Sequence, residues 1–145
     1  MQIPEALQHF SEPALIVTAD HFHARLWLAF EDSMEAVESF EMPSELKSDN
    51  EGSFANMDAG TMNAPEPKTE EERLKRFVHV LADRVSQLIR DEEVAMALHI
   101  LAPADVAHPF KKHLAPEAAN ILGKELDVNV MKEDEVQILE RLVAA

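Results

Sequence analysis

The run Ala14-Leu15-Ile16-Val17-Thr18-Ala19 is uninterrupted by charge and stops on Asp20; the chain then alternates through Phe22-His23-Ala24-Arg25-Leu26-Trp27-Leu28-Ala29-Phe30. No other feature restricts the fold as much. A strand with no charged position has to be covered on both faces, whereas an alternating strand is covered on one. The pair therefore reads as a central strand that hairpins into a more peripheral one. A sheet covered on both faces needs helices above and below it. Asp20 falls at the turn, on the kind of sheet edge where open α/β sheets place ligands.

The rest of the chain supplies the helices. Met34–Met42 sets Ala36, Val37 and Phe40 among Glu residues and reads as a third, edge strand, because acids on an edge resist pairing with other chains. Thr69-Glu70-Glu71-Glu72 is a capping box, in which the Thr hydroxyl and the Glu carboxylate each accept from an unpaired backbone N–H. Leu74, Phe77, Val78, Leu81, Val85, Leu88 and Ile89 then mark one helix face, which ends near Asp91 or Glu92. Val94–Leu101 reads as a fourth strand, parallel to the first because a long helix separates it from the hairpin. Ala104–Leu114 reads as a helix disturbed by Pro109, and Pro116 opens a further helical turn. A short fifth strand falls within 121–131. Glu133–Val143 is a last helix with Val136, Leu139 and Leu142 inward, and Pro4–Phe10 a short first one. The order βββαβαβα gives an α/β fold with a mixed sheet, of ribonuclease H-like architecture, with strands one and four side by side and parallel.

Pro43–Lys68 is different. It holds two of the three Gly and three of the eight Pro, without a period. It reads as a long, mobile loop inside one domain spanning 1–145. Phe54, Met57 and Met62 are apolar residues within it and the candidates to dock on a partner.

Composition excludes several classes. Zero Cys rules out disulfides, thiol catalysis and Cys-ligated zinc, and fits a reducing compartment. Met1–Pro13 lacks the basic and apolar blocks of a signal peptide, and no run reaches membrane-spanning length. A cytoplasmic location without membrane contact is expected. A net charge of -15 opposes phosphate backbones, so no DNA partner is expected. The cation groups Lys111, Lys112, His113 and Arg73, Lys75, Arg76 fall on helices that also carry acids and read as solvated faces.

Asp20 and Asp105 lie just beyond the ends of strands one and four. Together they would take Mg²⁺ or Mn²⁺, with Glu72 or Asp83 as a third ligand. The catalytic candidates of that reading are Asp20, Asp105 and Glu72. The structural alternative makes Asp20 a turn residue and Asp105 a helix cap. His21 and His23 flank the same turn and would join Asp20 around zinc or lie on a solvent face. His108 and His113 lie near the second helix, where His113 and Lys112 would complement the dipole. His99, in an apolar strand, reads as a hydrogen-bonded core residue. Trp27 reads as core, with a partner anchor as the alternative. Ser33, Ser44, Ser48 and Ser53 sit in turns or the loop, not in a nucleophile elbow. With three Gly there is neither a phosphate loop nor a dinucleotide fingerprint, and no cofactor is expected.

Several stretches together resemble the bacterial "protein required for attachment to host cells" family, itself similar to bacterial relatives of archaeal and eukaryotic peptide-chain release factors. They are Leu15–Asp20 running into Ala24-Arg25-Leu26, the helix start Glu71–Phe77, the strand end His99–Pro103, and Phe110–Leu114 leading into Lys124–Asp127. All of them lie between Leu15 and Leu142. The resemblance implies a release-factor middle-domain-like fold and a role either linked to translation or associated with attachment by an indirect route. Release factors carry Gly-Gly-Gln on a long loop of that domain. Here the loop offers Asp58-Ala59-Gly60-Thr61-Met62-Asn63, and no Gln occurs between Gln8 and Gln87, so the residues of that peptidyl-tRNA hydrolysis route are missing. Where family members carry His and Gly before the helix, this chain has Asn63-Ala64-Pro65-Glu66.

Two functions follow. The preferred one is a non-catalytic interaction module, a monomer or weak dimer, presenting Pro43–Lys68 to a protein or ribosome-associated partner. The alternative is a metal-dependent, nuclease-like hydrolase using Asp20 and Asp105.

Overall fold

The computed structural model describes residues 1–41 and 69–145. The expected loop and its Phe54, Met57 and Met62 lie outside the described residues. The strands are β1 (Ala14–Ala19), β2 (His23–Phe30), β3 (Ser33–Glu41), β4 (Ala97–Leu101) and β5 (Leu122–Leu126). The helices are α1 (Glu70–Arg90), α2 (Ala104–His113), the short α3 (Pro116–Ala119) and α4 (Glu135–Ala144). The sheet order is β3-β2-β1-β4-β5. β1–β2 and β2–β3 are antiparallel, and β1–β4 and β4–β5 parallel. This is the expected ribonuclease H-like arrangement.

β1 is central and buried at all six positions. Its alternation divides the core. Leu15, Val17 and Ala19 pack with Leu26, Leu98 and Ile100 beneath α1, α2 and α3. Ala14 and Ile16 pack with Trp27, Ala29 and Leu101 beneath α4 and the N-terminal segment. The expected capping box opens α1: Thr69 Oγ1 accepts the Glu72 N–H at 3.0 Å, and Glu72 Oε1 accepts the Thr69 N–H at 3.3 Å. The inward face of α1 is the expected one, with Ala82 and Ser86 added and Leu74 half-buried. Ser86 Oγ accepts the Ala115 N–H at 2.9 Å, which ties the α2–α3 junction to α1.

Four local expectations are corrected. The N-terminal segment forms one 3₁₀ turn at Glu5–Leu7 rather than a helix over Pro4–Phe10. Its first residues pair with β3 instead: Gln2 bridges Ser33, and Ile3 N–H donates to the Asp32 carbonyl at 2.7 Å. With the Glu31 N–H on the Phe10 carbonyl (2.8 Å), these bonds brace a β2–β3 turn in which Glu31 adopts φ 55°. β4 begins at Ala97, not Val94, because Val94 N–H closes the end of α1 on the Leu88 carbonyl at 3.2 Å. α4 begins after Asp134, whose own capping box with Gln137 starts it two residues beyond the Glu133 expected. Its buried residues are Ile138, Leu139 and Leu142, while Val136 is half-buried. Finally, α2 runs through Pro109 without a break.

Both outer strands carry an extra residue. Leu26 faces Glu38 and Trp27 faces Ala36, so Val37 is unpaired in β3. A bulge of this kind twists an edge away from further pairing. Glu38, expected as a solvent guard of that edge, instead holds the Arg84 guanidinium of α1. In β5 the extra residue lies opposite His99.

Candidate functional site

β1, β4 and β5 run in one direction, so their carboxyl ends share an edge. Asp20, Asp105 and Asp127 follow those ends in sequence. Each carboxylate has a local partner. Asp20 Oδ1 accepts the backbone N–H groups of Phe22 (2.7 Å) and His23 (2.6 Å), the geometry of an Asx turn. Asp127 Oδ1 accepts the Ala104 N–H at 3.1 Å and so caps α2 from the neighbouring strand, where Pro103 provides no side-chain cap. Asp105 Oδ2 lies 2.7 Å from His21 Nε2.

The structure thus joins Asp105 to His21 across the β1–β4 edge. Asp20 Oδ1 is 3.6 Å from His23 Nδ1, beyond hydrogen-bond distance, while His23 Nε2 is 3.3 Å from Glu41 Oε2. The His21 and Asp105 side chains are 42% and 63% exposed, so this pair stays hydrated. Phe22 is also exposed and meets His21 edge-on, with ring centroids 6.4 Å apart. Glu72, the third candidate, sits in the first turn of α1, where its carboxylate closes the capping box. Among the described residues, no three His, Asp or Glu side chains converge as a metal ion would require.

Asp20→Asn separates the turn from the charge. The amide oxygen can still accept both N–H groups, so the unfolding free energy should change by no more than about 0.5 kcal/mol. Asp20→Ala removes the acceptor and should cost about 1 kcal/mol. Urea unfolding of both variants checks this. An Asn variant as damaged as the Ala variant would mean that the charge, not the acceptor, holds the turn.

A second polar constellation escaped the sequence reading. His79 of α1 and His113 of α2 stack face to face, with centroids 4.0 Å apart and planes within 5°. His113 Nε2 lies 3.1 Å from Asp83 Oδ1, one helical turn beyond His79. The His79 ring is held below the ordinary imidazole range, by burial first and then by His113 and Lys75, with Asp83 opposing. On either side of the stack lie open clefts. One, about 360 Å³, is lined by residues including Ser86, Gln87, Arg90 and His113; the other, about 280 Å³, by residues including Glu72, Lys75, Arg76 and His79. Asp83 lines both. The two basic stretches of the sequence therefore sit on helices that meet at this histidine stack. The i, i+4 spacing of Lys75, His79 and Asp83 was visible in the sequence, but the partner from α2 was not.

Comparison with curated proteins finds no match. Among solved structures, an archaeal translation termination factor, aRF1, is similar with a TM-score of 0.53 at 11% identity, over 91% of this chain and 38% of that one. A structure described as an archaeal protein gives 0.52 at 14% identity, over 91% of this chain and 37% of that one. This chain thus spans little more than a third of either. Identities this low carry the fold alone, and the fold is release-factor-like, as expected. The family model "Protein required for attachment to host cells" matches residues 15–142, a span that contains all the resembling segments. The chain belongs to the family of proteins required for attachment to host cells.

Proposed function

We propose that the chain is a non-catalytic interaction module that binds a protein or ribosome-associated partner in the cytoplasm, as a monomer or weak dimer. Its connection to host-cell attachment is then indirect. The observation that carries this reading is the fold likeness to a translation termination factor over 91% of the chain. The site geometry supports it, since Asp20 and Asp127 hold backbone N–H groups and Asp105 holds His21. No helix of the described residues is long and apolar enough to cross a membrane. With a net charge of -15, contact on a ribosome would be made to a basic protein rather than to RNA. Pro43–Lys68, with Phe54, Met57 and Met62, is the proposed contact segment.

Sedimentation with purified ribosomal subunits tests the reading. The expected result is co-migration at low salt that weakens as salt rises, and its loss when Phe54, Met57 and Met62 are all changed to Ser. Absence of the protein from every ribosomal fraction would overturn the ribosomal form of the proposal.

A metal-dependent hydrolase is the second reading. The placement of Asp20 and Asp105 after adjacent parallel strands favours it. It requires Mg²⁺- or Mn²⁺-dependent hydrolysis of a phosphodiester that Asp20→Asn abolishes without loss of stability.

A further inference from the structure

We propose that His99 is a protonation-operated latch on β5, closed at neutral pH and opened by acid, which fixes the edge of the sheet and the C-terminal end of α4 together. The latch begins in the register. Leu98 faces Leu122 and Ile100 faces Glu125, so Gly123 and Lys124 share the position opposite His99. An extra residue in a ladder leaves backbone groups without their usual partner. Here the Lys124 N–H donates to His99 Nδ1 at 3.0 Å. A backbone N–H can only donate, so Nδ1 must be bare and the neutral ring carries its proton on Nε2.

Two further observations converge on the ring. A Cβ added at Gly123 would lie 2.8 Å from His99 Cε1 and 2.9 Å from Nδ1, so only glycine lets β5 approach this closely. Lys124 Nζ donates to the Leu142 carbonyl in the last turn of α4 at 2.6 Å. Lys124 therefore links β4, through the ring, to α4.

Protonation turns Nδ1 from acceptor to donor. It then faces the Lys124 N–H donor to donor, in a half-buried site, beside the Lys124 ammonium. The ring is accordingly held below the ordinary imidazole range, by burial first and by Lys124 second. The surrounding elements bring little that would offset the charge. The N-terminal segment presents the Phe10 ring, 6.4 Å away, and β1 pairs the apolar Ile16 with His99. On β5 the Glu125 carboxylate is bound by Lys111 of α2, which covers the opposite face. On α4, Arg141 is paired with Glu133. The closed state thus binds fewer protons than the open one. Its advantage is fully present above the ordinary imidazole value of about 6.5 and disappears as pH falls through the lowered value of the closed ring.

Amide hydrogen exchange measured by NMR tests this on the intact chain, with rates corrected for intrinsic pH dependence and the β1 amides as internal reference. The expected result is that Lys124 protection, relative to Val17, falls by up to about tenfold per pH unit between about pH 6.5 and the closed-state value, and levels off below it. In His99→Asn, whose amide oxygen accepts but does not titrate, relative protection should stay level between pH 7.5 and 4.5. Protection that does not fall in the wild type, or that falls equally in the variant, overturns the latch. Imidazole ¹⁵N shifts of the wild type give a second readout that needs no folded variant. A bare Nδ1 at pH 7.5 is expected, and a proton on Nδ1 would overturn the assignment.

Discussion

Trp27→Ala should remove about 3–5 kcal/mol of stability, the cost of truncating a large buried aromatic. Trp27 is 5% exposed, packs beneath α4 with Ile16, Ala29 and Met34, and donates its Nε1–H to the buried Thr18 hydroxyl at 3.1 Å. Thr18 stands two residues beyond Ile16, the cross-strand partner of Trp27, so the bond runs diagonally across the β1–β2 pair. Trp27→Phe keeps most of the apolar volume but strands the Thr18 oxygen, and should cost about 1–3 kcal/mol. The two substitutions therefore separate packing from the hydrogen bond. Urea unfolding followed by circular dichroism measures both, since Trp27 is the only Trp and its loss removes the fluorescence probe. Against a typical total of about 5–15 kcal/mol, the Ala variant should be marginal. A loss under 1 kcal/mol would mean that Trp27 is not core and would return it to the role of partner anchor.

Phe110→Ala tests the other face of the sheet and should also cost about 3–5 kcal/mol. Phe110 is 1% exposed in the cluster shared by β1, α1 and α2. α2 has ten residues, an internal proline and no side-chain N-cap of its own. A helix this short is not stable by propensity, so packing through Val106 and Phe110 has to hold it. The variant should lose α2 protection first in hydrogen exchange, before the β1–β2 hairpin. Trp27 and Phe110 belong to separate clusters on opposite faces, so their effects should add. A double variant much more stable than the sum would indicate coupling through the sheet.

Much of this fold was legible because its signals are local. A stretch with no charged residue in β1 demanded cover on both faces, alternation in β2 gave a single inward set, and Thr69 with Glu72 announced the start of α1. The resembling segments, from Leu15 onward, carried the family and the release-factor-like fold. Where the reading failed, the information was not local. Gln2 and Ser33 are polar residues with no pattern, yet they pair because the β2–β3 turn needs partners for its backbone. β5 has no alternation, and the His99 ring that lies against its Gly123 comes from β4, far away in sequence. Ile138 replaced Val136 on the inward face because packing against Ile16, Trp27 and Leu101, not the cap, decides which apolar residues of α4 turn inward.

The candidate site divides in the same way. Sequence position alone put Asp20 and Asp105 beyond the ends of β1 and β4, because parallel neighbours bring their carboxyl ends to one edge. Only the tertiary structure decided that Asp105 meets His21, that Asp127 caps α2, and that His79 stacks on His113. Periodicity, capping and turn chemistry are written within a few residues of each other, and the backbone geometry of a helix or strand turns them into structure. Contacts between side chains far apart in sequence depend on strand register and on the angle at which helices cross the sheet, and those are set by the packing of the whole core.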